Sequence, residues 1–466
     1  MNPPNSPTGN LPLTAPMEQT LEVLKGAAGL VTGMNLCVVG GGFVGLVSSV
    51  GFAQFGHSVV CVENDPQRLE ILKSGRVPFY ERDLEPLLQQ NLAAGRIRFC
   101  GDLSEAVAGQ DVIFISVGTP SQADGRTDRR PLERVVQSLS TSLSPGQIVV
   151  LKSTVPVGTG SSVQQTLSRE LGSRGPVTVV NNPEFLREGS AVYDFFHPQR
   201  IVIGGEDPDS VAKIAQVYRI GMTRSVPIVT TNRETAEMIK YASNAFIALK
   251  VGFINEMAAL CDRINVNVLE VARAMGMDPR IGDEYLVPGP GWGGSCLGKD
   301  LLELEGLAAS RGYSPLITHA VQEANLQHHD HVVGKIRQLV GSLSGARIGL
   351  LGLAFKAGTS DVRDSPALEI ARRLVAAGAQ VSAFDPEAGE EARRALPELT
   401  VVDSAYAAGA DADCVAILTE WHQFQSLDFA RLAAQMRLRN LVDARNLLVP
   451  EMIRRYGFQY SGMGQS

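Results

Sequence analysis

At 466 residues, with 44% hydrophobic and 20% charged side chains, the chain has room for two or three domains, each able to bury its own core. A formal charge of −7 gives no support for nucleic-acid binding, so an anionic substrate must be met by local cations rather than by the global field. No apolar run is expected to span a bilayer, and six scattered cysteines with no CxxC pair and no secretory leader fit a reducing cytoplasm rather than a disulfide framework.

Residues 1 to 33 are rich in Pro, Asn, Thr, Ser and Gly and read as a disordered extension, with Met34 a candidate start. From there to about residue 210, short Val/Ile-rich runs alternate with helical patterns: Leu36 to Val39, Val59 to Val62, Val112 to Val117, Ile148 to Lys152, Val177 to Val180 and Ile201 to Ile203. That rhythm predicts a parallel doubly wound sheet. Near Thr231 the pattern becomes one long helix, opened by the spacing Thr231-x-x-Glu234 and running to about Ile264. Its apolar stripe is Met238, Ala242, Ala245, Leu249, Phe253, Met257, Leu260 and Ile264, roughly 50 Å long at the helical rise, a length suited to joining domains or building a dimer. A second long helix is expected with Ser314 as cap and Pro315 at its first position. A second α/β unit opens at Arg347, with a glycine turn, a second strand ending at Asp385 and a later strand from Cys414 to Leu418. The expected fold class is α/β, two Rossmann-like doubly wound domains joined by a long central helix, with divisions at 34–230, 231–335 and 336–466.

Gly40-Gly41-Gly42-Phe43-Val44-Gly45 follows a strand, opens a helix, and is followed at the end of the next strand by Glu63. In that context the glycines admit a pyrophosphate to the helix N-terminus and the carboxylate accepts a ribose hydroxyl, so Gly40, Gly42, Phe43, Val44, Gly45 and Glu63 are read as a dinucleotide site. Glu63 repels a 2′-phosphate, which favours NAD over NADP. Gly293-Gly294-Ser295-Cys296-Leu297-Gly298-Lys299-Asp300 sets one thiol in a flexible loop with an ammonium and a carboxylate behind it, the pattern of a nucleophile. The alternative is an unreactive loop thiol. Lys240 and Asn244, at i and i+4, form with Asn255 a polar island able to hold a reacting oxygen, against the alternative of a solvated helix face.

Pro183 suits the first turn of a helix after Asn182, which would project Glu184 and Glu188 from one face, for water activation or simply for the helix dipole. Lys356, in the interrupted glycine turn Gly352-Leu353-Ala354-Phe355-Lys356, reads as an anion hold, and Arg363 with Asp361 as a ligand contact or a surface ion pair. Cys37, Cys61 and Cys414 lie in apolar runs and read as small buried hydrophobes. His328, His329 and His331 fan around a helix without a matching CxxC or HExxH, and no metal site is expected.

These motifs, with Val117-Gly118-Thr119-Pro120, Lys152-Ser153-Thr154-Val155-Pro156-Val157-Gly158-Thr159 and Asp443-Ala444-Arg445-Asn446, resemble the nucleotide-sugar (UDP-glucose/GDP-mannose) dehydrogenase family from Met34 to about Leu447. The resemblance implies an NAD-dependent four-electron oxidation of the sugar C6 hydroxyl of UDP-glucose to a carboxylate, giving UDP-glucuronate. It implies Cys296 as the nucleophile, Lys240, Asn244 and Asp300 around the reacting oxygen and water, and Thr119 and Glu184 positioning water or acting as acid and base. It also implies NAD contacts from Arg68, Thr119, Glu188, Lys299 and Arg363. Sugar-nucleotide contacts fall to Glu184, Phe185, Leu186, Lys240, Asn244, Tyr285, Gly293 and Lys356, and Arg280 reaches the neighbouring subunit's substrate in a homodimer. Leu297-Gly298 and Trp292 depart from the family's residues around the cysteine. The residues alone leave open another nucleotide sugar (GDP-mannose or UDP-N-acetylmannosamine), a two-electron hydroxyacid dehydrogenase, or a non-catalytic sugar-nucleotide sensor.

Overall fold

Short continuous apolar strands need cover on both faces, and the computed structural model, which describes residues 33–122, 126–222 and 225–465, supplies it. In β1 (Asn35–Val39), Leu36 and Val38 pack into one apolar layer while Cys37 and Val39 pack into the other. The chain divides into two compact units, residues up to Lys240 and residues from Tyr241 onward, the division falling inside the central helix. Apart from Gly33, the expected N-terminal extension lies outside the described residues.

The first unit is an eight-stranded sheet in the order β3-β2-β1-β4-β5-β6-β7-β8, with β2 Ser58–Val62, β3 Ile97–Cys100, β4 Val112–Ile115, β5 Ile148–Leu151, β6 Thr178–Asn181, β7 Ile201–Gly204 and β8 Ile228–Thr231. All neighbours are parallel except β6 and β7, which meet antiparallel through Asn181 and Gly204, so the expected all-parallel sheet is corrected there. The strands missed in the sequence, β3 and β8, are the two edges; they are four residues long, and β8 has no buried residue to mark it.

The second unit repeats the plan in six parallel strands, ordered β11-β10-β9-β12-β13-β14. They are β9 Arg347–Leu351, β10 Gln380–Phe384, β11 Thr400–Val401, β12 Cys414–Ile417, β13 Asn440–Asp443 and β14 Gln459–Gly462. In both sheets the strand order reverses beside the first strand, at β1/β4 and at β9/β12, and ligands of open α/β sheets bind beyond the carboxyl ends of strands at such points.

The central helix spans Arg233–Ile264. Thr231 ends β8 and does not cap it; Asn232 does, its Oδ1 accepting from Thr235 N at 2.8 Å. The buried face is Ala236, Tyr241, Ala248, Ile254, Ala258 and Cys261, whereas Met238, Phe253, Leu260 and Ile264 of the expected stripe are exposed, as is Phe246. By length and composition this helix could cross a bilayer, contrary to the sequence expectation. Its buried face, however, also carries Glu237, Lys240, Asn244 and Asn255, each bonded to protein, which marks a core helix. The second long helix runs Leu316–Val340 with Pro315 in the capping position and no side-chain cap, so Ser314 does not play that part.

Candidate functional site

The glycine fingerprint has the geometry a pyrophosphate needs. Gly40 has φ 109°, and a Cβ there would sit 2.8 Å from Ser116 O on the neighbouring strand's loop; a Cβ on Gly45 would lie 1.8 Å from Gly40 O. Gly42 precedes the helix Phe43–Gln54, which starts with Val44 in its first turn, and a Cβ on Gly42 would meet open space. Two glycines therefore serve close packing and the third leaves room for ligand. At the end of β2 the buried Glu63 accepts from Asp65 N at 2.9 Å, and Arg68 stands 3.8 Å from its other oxygen while donating to Gly41 O at 3.3 Å. Acid, cation and glycine turn thus meet at the sheet's reversal point, and they fit a dinucleotide.

Across that point, Thr119 donates to Thr154 O at 3.0 Å, tying the loop after β4 to the turn after β5. Beyond β6 the chain does not form the expected helix: residues 182 to 187 are irregular, and helix resumes only at Ala191. Asn182 is held sideways by Tyr218 at 2.5 Å, Lys152 at 3.2 Å and Val202 O at 2.9 Å, which pulls the segment off a helical path. Glu184 and the half-buried Glu188 therefore do not share a helical face. Glu184 accepts from Leu186 N at 2.6 Å and pairs with Lys240 at 3.0 Å, both side chains being at least 93% buried. Phe185 lies under the Arg200 guanidinium, 3.8 Å from its ring centre, with Lys240 at 5.4 Å.

In the second unit Cys296 is exposed and caps the helix Leu297–Ser310, Asp300 N donating to its carbonyl at 2.9 Å. The thiol is thus at a helix N-terminus rather than inside a flexible loop. The ammonium expected to assist it is committed elsewhere: Lys299 Nζ donates to Asp300 Oδ1 at 2.7 Å. Asn244 Nδ2 donates to Asp300 Oδ2 at 2.6 Å, so this wholly buried carboxylate carries a cation on one oxygen and an amide on the other. Asn255, grouped with Lys240 and Asn244 in the sequence, instead accepts from Gly289 N at 2.9 Å and holds the approach to the cysteine. The other five cysteines are buried, and burial pushes Cys61 and Cys414 up to about 12.

The cysteine segment is fixed along its length. Gly293 would place a Cβ 2.1 Å from Asp364 O, and Gly294, at φ 84°, donates to Arg363 O at 3.1 Å. Asn325 bonds both the N and O of Trp292, at 2.9 and 3.0 Å, and His328 Nε2 lies 2.7 Å from Gly289 O. Tyr285, half-buried, has left-handed backbone at φ 64°. His331 bonds Asp262 at 2.9 Å, and among the described residues no three His, Cys, Asp or Glu side chains converge on one point.

The second glycine turn is not a second dinucleotide site. Its acid, Asp385, is consumed by the turn itself, accepting from Leu353 N at 2.7 Å and Ala354 N at 3.0 Å, whereas Glu63 leaves its turn open. At the reversal point Arg445 joins the two loops, donating to Leu418 O at 3.0 Å and to Phe355 O at 2.9 Å, the residue before half-buried Lys356. Arg363 forms the surface pair with Asp361, and the exposed Arg280 pairs with Asp278. Glu237, Asn181, Arg200, Asn325, His328 and Arg445 were not singled out by role in the sequence. The signal that could have found Glu237 is its place one turn before Lys240, which reads alone as a helix-surface pair.

Comparison with known proteins is consistent over more than nine-tenths of the chain. Residues 34–221 match the NAD binding domain, 234–327 the central domain and 349–450 the UDP binding domain of the UDP-glucose/GDP-mannose dehydrogenase family. A UDP-glucose 6-dehydrogenase of Rhizobium meliloti is 43% identical over 93% of this chain and 100% of its own length, and one of Pseudomonas aeruginosa is 40% identical over 93% and 98%. A solved UDP-glucose dehydrogenase from Pyrobaculum islandicum superposes with a TM-score of 0.86 at 38% identity, covering 94% of this chain and 100% of that one. With all three domains of the family matched in order and relatives of up to 43% identity spanning nearly their full length, the chain belongs to the UDP-glucose/GDP-mannose dehydrogenase family.

Proposed function

We propose that this protein oxidises the C6 hydroxyl of UDP-glucose to the carboxylate of UDP-glucuronate in two NAD-dependent steps through a covalent intermediate on Cys296. The observation that carries the reading is the exposed thiol at the start of a helix whose first turn holds the buried Asp300. NAD, when bound, accepts a hydride at each oxidation; Gly40, Gly42, Gly45, Glu63 and Arg68 fit its pyrophosphate and ribose.

Lys240 stabilises negative charge on the reacting oxygen, and Glu184, beside it, positions water or moves its proton. After the first oxidation the Cys296 sulfur adds to the aldehyde carbon, and after the second that carbon is a thioester. Water adds there, the carbon–sulfur bond breaks, and sulfur leaves as thiolate with release of the carboxylate. Asn244 and Asp300 hold the oxygen and water around this carbon, with Lys299 fixing Asp300.

We infer further that two chains pair through the exposed apolar face of the central helix, Phe246, Phe253, Leu260 and Ile264, and that Arg280 serves the neighbour's substrate. All six cysteines are free thiols, in keeping with work in the cytoplasm. The test is NADH formed per mole of UDP-glucose, UDP-galactose, UDP-N-acetylmannosamine and GDP-mannose. Two NADH with UDP-glucose alone supports the reading; one NADH indicates a two-electron dehydrogenase, and none a sensor.

A further inference from the structure

Asn181 stands three residues before Glu184, and Glu237 three residues before Lys240. The Asn181 amide donates to Glu237 Oε1 at 2.9 Å, so a second contact between the same two segments braces the Glu184–Lys240 pair. The Glu237 carboxylate reaches further. Its Oε2 accepts from Gly158 N at 2.6 Å and its Oε1 from Gly160 N at 2.7 Å, at the start of the helix Thr159–Leu171. That helix follows the turn whose Thr154 carbonyl holds Thr119. Gly160 cannot carry a side chain, because a Cβ would fall 2.1 Å from Asn181 Oδ1. Glu237 is only 3% exposed and faces the same small cavity as Lys240, Asn181 and Thr154.

From this junction we infer that Glu237 is a positioning residue that sets the relative placement of Thr119, Glu184 and Lys240. It touches no reacting group. Its two oxygens tie the Gly158–Gly160 backbone and the Asn181 side chain to its own helix, three residues from Glu184 and Lys240 and four residues along the chain from the Thr154 carbonyl that holds Thr119. A neutral amide in its place cannot repeat this, since its NH2 would face a backbone N–H. Glu234, in the preceding turn, bonds Ser161 of the same helix but has no bond to the Glu184 segment, so it serves as a control for mere helix anchoring.

The inference rests on the proposed oxidation of UDP-glucose, and its test has one arm independent of turnover. In the full-length protein, Glu237→Gln is expected to lower kcat by about tenfold to a hundredfold with both KM values within about threefold, the signature of misplacement at the reacting centre. Asn181→Ala is expected to lower kcat in the same sense, and the double variant to be no worse than Glu237→Gln alone. Glu234→Gln should leave kcat within about twofold of the parent while losing some thermal stability. In the second arm, brief acetic anhydride labelling read by mass spectrometry should modify Lys240 at least about tenfold faster in Glu237→Gln than in the parent, corresponding to a loosened buried pair.

Unchanged Lys240 labelling overturns the inference whether or not UDP-glucose is turned over. A parent protein that makes no NADH, with labelling changed as expected, overturns the substrate reading and leaves the brace standing. Should Glu237→Gln fail to fold, Asn181→Ala, which removes one of three donors, decides: normal kcat and normal Lys240 labelling overturn the inference.

Discussion

The ammonium of Lys240 lies 3.0 Å from a carboxylate oxygen of Glu184, and both side chains are almost wholly buried. Removing one partner of such a pair strands a charge in a poorly solvated site. Lys240→Met is therefore expected to lower unfolding free energy by about 3 kcal/mol and turnover by about a hundredfold or more. The double variant Lys240→Met with Glu184→Gln should recover part of the stability and none of the turnover. Urea unfolding and steady-state rates check both statements; a double variant as unstable as the sum of its singles would show that the two charges do not interact.

Glu63, at the end of β2, is expected to set the choice of dinucleotide. The parent protein should use NAD with a kcat/KM at least about a hundredfold above that for NADP, about 2.7 kcal/mol of discrimination. Glu63→Gln should narrow the gap, chiefly by losing efficiency with NAD. Equal efficiency of the parent with both dinucleotides would remove Glu63 from this role.

Much of this was legible in the sequence, and the gaps have physical causes. The interior strands of the first sheet, and β9, β10 and β12 of the second, were found because continuous Val and Ile runs between turns have no other easy home, as in β1, β4 and β12, whereas interior β13 was not. The edge strands β3, β8, β11 and β14 were not, since an edge needs neither length nor continuous apolar faces. The expected helix after Pro183 followed local turn preference, and local preference lost to the tertiary bonds of Asn182 with Tyr218, Lys152 and Val202. Cys296, Lys240 and Asp300 could be named as candidates because their spacing allows a chemical reading, but spacing alone left each open and the roles expected of them came from the family resemblance. Glu237 and Asn325 could not be named, because their partners are backbone groups remote in sequence, which leave no pattern.

The histidine cluster makes an acid-side prediction. Burial lowers His328 and His329 to about 4 from an ordinary 6.5. Between those values the unfolded chain binds protons that the folded chain refuses, so stability present above pH 6.5 is lost as pH falls toward 4. His328→Gln, which keeps a donor for Gly289 O, should show a shallower loss of its urea midpoint between pH 6.5 and 4.5 than the parent. An identical slope would show that His328 does not titrate differently on unfolding.

The exposed face of the central helix predicts the oligomer. Phe253→Glu and Leu260→Glu, both on that face and outside the sites described, should shift the protein from dimer to monomer in size-exclusion light scattering. An unchanged mass would place the subunit contact elsewhere.

The central claim is the covalent step at Cys296. In a Glu184→Gln variant quenched during turnover of UDP-glucose, mass spectrometry of the digested protein is the direct measurement. The expected result is a UDP-glucuronyl adduct on the peptide bearing Cys296, absent in Cys296→Ser, whose turnover collapses while UDP-glucose binding persists. An adduct found consistently on another cysteine, or full activity in Cys296→Ser, would contradict it.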